Sequence, residues 1–306
     1  MKPFDILVAG EINPDLIVSG NVIPEFGQVE KLVDSATLAM GSSSAIFACG
    51  AARLGLKIAF IGVCGEDVFG QFMLDEMSKR NVDVKHVIVR KDGQTGLSVI
   101  LSRQSDRAIL THTGLIAELR ASDIGDDLLL QSRHLHVASY FLQTKLQPEL
   151  SDLFKRARSF GLTTSLDTNY DPSEKWPGVN ELLAVTNVFL PNEAEAKSLT
   201  GAENTDEAAD RLKVRVEALA IKLGKDGALG LSMGQRVRVK SIPVNVVDTV
   251  GAGDSFDAGF IFGYLNDWEL EKSVRLACVC GALSTERAGG TNGQPTLDEA
   301  MKHVSG

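Results

Sequence analysis

Apolar residues recur along this chain in two rhythms, short unbroken runs and longer runs with helical spacing. Residues 6–9 form a brief apolar run that reads as a buried first strand, ending at Gly10-Glu11-Ile12-Asn13-Pro14-Asp15. From Lys57 onward the two patterns take turns. Strands are predicted over 57–62, 134–138, 163–166, 188–190 and 217–222, and segments 229–232 and 236–239 pair as a hairpin. Helices are predicted between Gly41 and Leu54, over 147–160, from Asn192 and over 252–265, and another carries Phe69, Phe72, Met73 and Met77 on one face. The run 273–283 is almost wholly apolar, which requires a buried helix, and Thr296 caps a short last one. The alternation predicts an α/β fold with a mostly parallel central sheet and helices on both faces. Segments 16–38 and 84–113 break it with weak alternation interrupted by Gly and Pro. They read as two insertions forming one small β-sheet lid on a single domain spanning 1–306, or else as edge strands of the main sheet.

Composition narrows the partners. Hydrophobic content of 44% with 23% charged residues suits a globular protein with a large core. A net charge of −9 without a Lys/Arg block argues against nucleic acid and anionic membranes. No apolar run approaches the ~20 residues of a membrane span, and the N-terminus lacks the pattern of a signal peptide. Cys49, Cys64, Cys278 and Cys280 sit in apolar contexts without C-x-x-C spacing, as expected of reduced core thiols in a cytoplasmic protein.

The stretch richest in chemistry is 247–260. Gly251 and Gly253 allow a tight bend that opens a helix at Ala252. The first amides of a helix have no internal partner and carry the positive end of its dipole, so an anion can sit on Gly251, Ala252 and Gly253. Asp254 stands beside that hole, where it would repel a resting phosphate. The placement suits a base that removes a proton from a hydroxyl attacking a phosphoryl group. A Gly-rich turn before a helix also occurs for purely structural reasons.

Other positions carry two readings. Asn13 and Asp15 lie just past a strand end, where open α/β sheets bind ligands, yet Asn-Pro-Asp is also good turn chemistry. Gly41-Ser42-Ser43-Ser44 caps a helix well. His134 and His136 share one strand face, but no third metal ligand is visible nearby. Asn192 and Glu195 match a capping box; near a nucleotide, their acidity would call for a bridging cation. Lys225-Asp226-Gly227 is good hairpin-turn chemistry. Gly281 would admit either an adenine base or a closely packed helix.

The string D-T-x-G-A-G-D-x-F-x-A-G-F over 248–260 resembles the C-terminal signature of the ribokinase-like (PfkB) carbohydrate kinases. Segments 41–55, 62–70 and 223–230, the Asn192-x-x-Glu195 pair and Asp167-x-Asn169 with Trp176 resemble other family motifs in the expected order. Walker A, protein-kinase and G-x-G-x-x-G dinucleotide signatures are absent. The resemblance implies a ribokinase-like three-layer sandwich with a lid. It further implies a sugar kinase that moves the γ-phosphoryl group of ATP to a primary hydroxyl, with Mg²⁺, Asp254 as base and Gly251–Gly253 as anion hole. By the same resemblance, Asn13, Asp15, Gly41, Ser42 and Ile46 meet the acceptor, and Asn192, Lys222, Gly224, Gly227 and Gly281 the nucleotide. Glu195 would arrange Mg²⁺ through water. Asp248, with backbone oxygens of Val250, Ser284 and Gly289, would hold K⁺, and the lid would form a homodimer contact.

Three departures bear on the acceptor. Ser42 replaces the second glycine of the usual G-G-x-x-x-N-x-A, and Ile46 replaces its sugar-contacting Asn. Asp171 stands at a usual Arg position, which would disfavour an acidic sugar. Ile46 keeps a nucleoside kinase of the same fold open. A catalytically idle sensor is the third reading, opposed by the intact Asp254 and its glycines.

Overall fold

The computed structural model describes residues 2–103, 106–171 and 173–304; Met1, Gln104 and Ser105 of the expected lid, and Pro172 beside Asp171 lie outside them. In chain order the first half carries β1 (Phe4–Ala9), β2 (Pro14–Ser19), β3 (Ser35–Met40), α1 (Ser43–Arg53), β4 (Ile58–Ile61), β5 (Val63–Gly65) and α2 (Val68–Lys79). There follow β6 (Val82–Asp83), β7 (Ile88–Arg90), β8 (Leu97–Arg103), β9 (Asp106–His112), α3 (Asp126–Leu130), β10 (Ser132–Val137), α4 (Leu150–Ser159) and β11 (Thr163–Leu166). The rest comprises α5 (Val179–Leu183), β12 (Val188–Phe189), α6 (Glu193–Thr200), α7 (Thr205–Leu212), β13 (Ala218–Lys222), β14 (Ala228–Ser232) and β15 (Gln235–Val239). Three helices close the chain: α8 (Ala252–Leu265), α9 (Leu270–Ser284) and α10 (Leu297–Val304).

The main sheet has the order β15-β14-β13-β12-β11-β10-β1-β4-β6. Pairing is parallel from β6 through β13 and antiparallel only at β14 and β15. Side chains alternate across the sheet and divide the core in two. Ile6 and Val8 pack with α1, α2, α8, α9 and α10, whereas Leu7 and Ala9 pack with α3 to α7. Unbroken apolar runs such as residues 6–9 follow from that double burial. The turn 223–227 joins β13 to β14, and Met233-Gly234 joins β14 to β15, so two successive hairpins stand where one was expected.

A separate four-stranded sheet has the order β3-β2-β8-β9. It corrects the expected insertion boundaries. β2 begins at Pro14 and β3 runs to Met40, while the sheet takes only 97–112 from the second insertion. Val82–Asp83 belongs to the main sheet, and Ile88–Arg90 pairs in parallel with Val63–Gly65 as a two-stranded ribbon. Asp67 explains the diversion. Its carboxylate caps α2 and accepts from the amide and hydroxyl of Thr95, fastening the second insertion to the main body before the lid strand begins.

The two histidines of β10 are core residues. His134 bonds Thr163 and Ser165, each at 2.7 Å, and His136 bonds Ser165 at 2.7 Å while stacking on Phe47 at 3.6 Å. Burial lowers both histidines, His136 to about 3. Among the described residues no helix is long and apolar enough to cross a membrane.

A folded-state pKa below the unfolded value of ~6.5 means that the unfolded chain binds the extra proton, so this contribution is lost as pH falls from about 6.5 towards 3. The stability difference between the native protein and His136→Phe is therefore expected to shift against the native protein by up to ~1.4 kcal/mol per pH unit in that window. Parallel stability curves at pH 7 and pH 5 in chemical denaturation would contradict a buried neutral imidazole.

Candidate active site

The carboxyl ends of β1, β10, β11 and β13 converge on the first turns of α1 and α8. Gly251, the N-cap of α8, has φ 73°, and a side chain there would strike the Gly290 backbone at 2.8 Å, so only glycine fits. Ala252, Gly253 and Asp254 then form the first turn. The Ala252 amide leans on the Thr249 carbonyl at 3.3 Å, a long bond. Ile46 is buried beneath this loop. Methyl groups added at Gly251 and Gly290 would meet its side chain at 2.9 and 2.5 Å, so its apolar bulk packs under the α8 start.

Asp254 is buried, and burial pushes its carboxyl up to about 8. Asp167 and Glu11 add to the rise; Lys222 and the Ser43 hydroxyl oppose it. Ser43 also accepts from the Asn169 amide at 3.2 Å, and the Ser139 amide donates to Asn169 at 2.8 Å. The Ser139 hydroxyl donates to Glu11 at 3.0 Å, and Glu11 accepts twice more, from the amide and hydroxyl of Ser44. Glu11 is thus a buried carboxyl group at the first turn of α1, satisfied by three donors. Sequence reasoning passed over Glu11, Ser43 and Ser139. Their signal was position, immediately after a buried strand or at a helix start.

Ser42 caps α1 with φ 65°, a conformation that favours glycine, and so accounts for the usual glycine there. Its hydroxyl compensates by donating to the Glu11 carbonyl at 2.7 Å and accepting from Ala45 at 2.9 Å. Gly41 lies directly against the Asp15 carboxylate, leaving no room for a side chain. Asn13 donates weakly to Ser98 on β8 at 3.3 Å, tying the strand end to the lid. Burial raises Asp15 to about 6; Arg107 opposes the rise, and Asp248 and Glu11 reinforce it.

Beside the α8 start lies a cavity of about 600 Å³. Lys222, Gly224, Gly227, Ala252, Gly253 and Gly281 line it, with Val244, Val246, Phe256 and Ala282 giving an apolar wall. Gly281 also packs closely, since a side chain there would press on the Ala252 carbonyl at 3.0 Å. Asn192 and Glu195 form the full capping box of α6, at 2.9 and 2.8 Å, and Asn192 bridges Lys222 at the sheet end. Burial raises Glu195 to about 7, with Asp167 adding to the rise and Lys222 opposing it.

Asp171 is bonded within its own turn. Its carboxylate accepts from the amides of Ser173, Lys175 and Trp176 and from the Ser173 hydroxyl at 2.7 to 2.9 Å. Burial would raise it, but these bonds outweigh that and hold it below the usual range. This charge is met by the donors of its own turn. Asp248 bonds the Val250 amide at 3.0 Å and the Gly289 amide at 2.9 Å, joining two loops. Ser284 is buried, its hydroxyl donating to Gly281 at 2.8 Å.

The pfkB family carbohydrate kinase model matches residues 4–297. The chain is 32% identical over 302 residues to the 2-dehydro-3-deoxygluconokinase of Bacillus subtilis (strain 168), covering 92% of this chain and 91% of that one. It superposes on the Arabidopsis thaliana ribokinase complexed with ribose and ATP with a TM-score of 0.86, at 22% identity and 100% coverage of both chains. The adenosine kinase of Sinorhizobium meliloti gives a TM-score of 0.85 at 24% identity, over 98% of this chain and 99% of that one. With a family match over nearly its whole length, this chain belongs to the pfkB family of carbohydrate kinases.

Proposed function

We propose that this sugar kinase transfers the γ-phosphoryl group of ATP to a hydroxyl of a small sugar, with Asp254 as general base. The observation that carries the reading is the seat of Asp254, buried in the first turn of α8 immediately after Gly253, which lines the 600 Å³ cavity. ATP would occupy that cavity, its base against the apolar wall near Gly281 and its phosphates towards Lys222, Gly224, Gly227 and Asn192. Asp15 and Asn13 would bind acceptor hydroxyls above Gly41 and Ser42. The ionised Asp254 takes the hydroxyl proton, the oxygen bonds to Pγ, and the bond from Pγ to the β–γ bridging oxygen breaks. ADP departs with that electron pair. The amides of Gly251, Ala252 and Gly253 stabilise charge on the transferring group.

The donor set fits Mg²⁺. Asp167, Asp254, Asp257 and Glu195 offer four buried carboxyls against the single ammonium of Lys222, and Mg²⁺ favours oxygen ligands shared with phosphates. Glu195 would hold it through water, and the ion would neutralise phosphate charge. Asp248, with carbonyls of Val250, Ser284 and Gly289, would hold K⁺ at the loop beneath the anion hole. Turnover is expected to fall when K⁺ is exchanged for a large organic cation; an indifferent rate counts against the site.

The lid sheet presents Asp15, Ile17 and Ser19 on one face and Leu16, Val18, Leu38, Val99, Leu101 and Leu110 on the other. Leu110 is exposed. This apolar face supports a homodimer through the lid. Leu110→Lys is then expected to halve the mass seen by light scattering, and an unchanged mass would place any dimer contact elsewhere.

Asp254→Asn separates catalysis from folding. Turnover should drop on the order of 10²–10⁴-fold. A carboxyl raised in the folded state costs stability progressively as pH rises from ~3.8 towards 8, so the Asn variant should also be the more stable, most clearly above pH 8. Unchanged turnover in a folded variant would end the assignment. A panel of ketoses, aldoses and nucleosides then separates a sugar acceptor from a nucleoside.

A further inference from the structure

The inner face of the lid continues past Asp15. Side chains alternate along a strand, so Asp15, Ile17 and Ser19 of β2 stand in line on that face. Strand register sets neighbours beside each of them: Ser98 beside Asp15, Ile100 and Thr37 beside Ile17, and Ser102, Arg107 and Ser35 in the row of Ser19. The Ser19 row lies four residues along from Asp15, roughly 13 Å at the rise of a strand. A cavity of about 550 Å³ runs along the Ile17 and Ser19 rows, opposite the loops that carry Val250 and Thr291. Asp15 does not line it, so this space adjoins the expected acceptor grip and is separate from it. Such a volume suits a ligand larger than a single sugar ring.

The walls describe the occupant. Two cations, Arg80 and Arg107, and two anions, Glu76 and Asp248, line the cavity. Arg80 is bonded to Glu76 at 2.6 Å, and Asp248 accepts from the amides of Val250 and Gly289. Charges so balanced favour a neutral ligand over an anion. Phe72 is the one aromatic ring among the described lining residues, which gives a flat base little to stack on. The far row instead offers hydroxyls, with Ser19 and Ser35 bonded to each other at 2.6 Å, and the guanidinium fork of Arg107.

We propose that the acceptor is a neutral glycoside, in the simplest case a disaccharide. One sugar is held at Asp15, the linkage crosses the aliphatic row of Ile17 and Ile100, and a second polyhydroxylated unit hydrogen-bonds Ser19, Ser35, Ser102 and Arg107. Phosphorylation of the first sugar rests on the kinase reading above, whereas the two-unit binding site does not.

Calorimetric titration, with and without a non-hydrolysable ATP analogue, tests the site apart from turnover. The ligands are maltose, cellobiose, lactose and sucrose, their component glucose, galactose and fructose, and adenosine and gluconate as rivals. At least one disaccharide should bind about tenfold or more tightly than either of its components, the gain expected of one or two net hydrogen bonds. Arg107→Gln combined with Ser102→Ala should collapse that ratio to within a few-fold of one. Ile100→Trp, which fills the middle of the cavity, should collapse it as well. In turnover with ATP, the same disaccharide should lead in kcat/KM by a similar factor, carried by KM. Failure of every disaccharide to bind, tighter binding of a monosaccharide, adenosine or gluconate, or a ratio unchanged in the folded variants overturns the proposal. A disaccharide bound in this way but never phosphorylated upholds the two-unit site and counts against the kinase reading.

Discussion

The site depends on keeping several carboxyls in one dry space at the carboxyl edge of a parallel sheet. Asp167, Asp254, Asp257 and Glu195 are all buried, and Lys222 is the cation set among them. Like charges so placed cannot all ionise, and their pKa values spread apart. Asp167 is held down by Lys222 against the cost of its burial, whereas Asp257, Asp254 and Glu195 are driven up. This spread lifts the Asp254 carboxyl to about 8, where the proposed mechanism would use it as a base. It also makes the unliganded site electrostatically strained, a cost that a functional site accepts and the remaining core must offset.

A second, neutral layer holds that arrangement in register. Ser139, Asn169, Ser43 and Ser44 pass hydrogen bonds between three strand ends and α1, with Glu11 at the centre. Three of the residues adopt backbone angles that favour glycine, Ser42 at φ 65° and Ser139 and Asn169 each at φ 51°, and each is secured by its own side-chain bonds. Ile46 replaces a polar family residue with apolar contact beneath Gly251 and Gly290. The loop that opens α8 is therefore supported from below by packing.

Much of this was legible in the sequence. The two-layer core follows from apolar runs that must be buried on both faces, and the α8 start follows from Gly251-Ala252-Gly253-Asp254. The lid boundaries were not legible because weak alternation looks the same in a lid strand and in the Ile88–Arg90 ribbon; Asp67 and Thr95 decide between them through contacts 28 residues apart. The partners of Asp171 were not legible either, because a carboxylate at a motif position reads as a site charge until the donors of its turn are seen. Glu11, Ser139 and Asp257 carry no spacing signature, and their importance emerges only when separate strand ends meet.

The central claim is that these charges serve phosphoryl transfer to an alcohol. ³¹P NMR of the protein with ATP, Mg²⁺ and individual sugars or nucleosides observes that bond directly. The account predicts a new phosphomonoester resonance growing in step with ADP for at least one acceptor. ATP cleaved only to inorganic phosphate, or left intact with every acceptor, would contradict it.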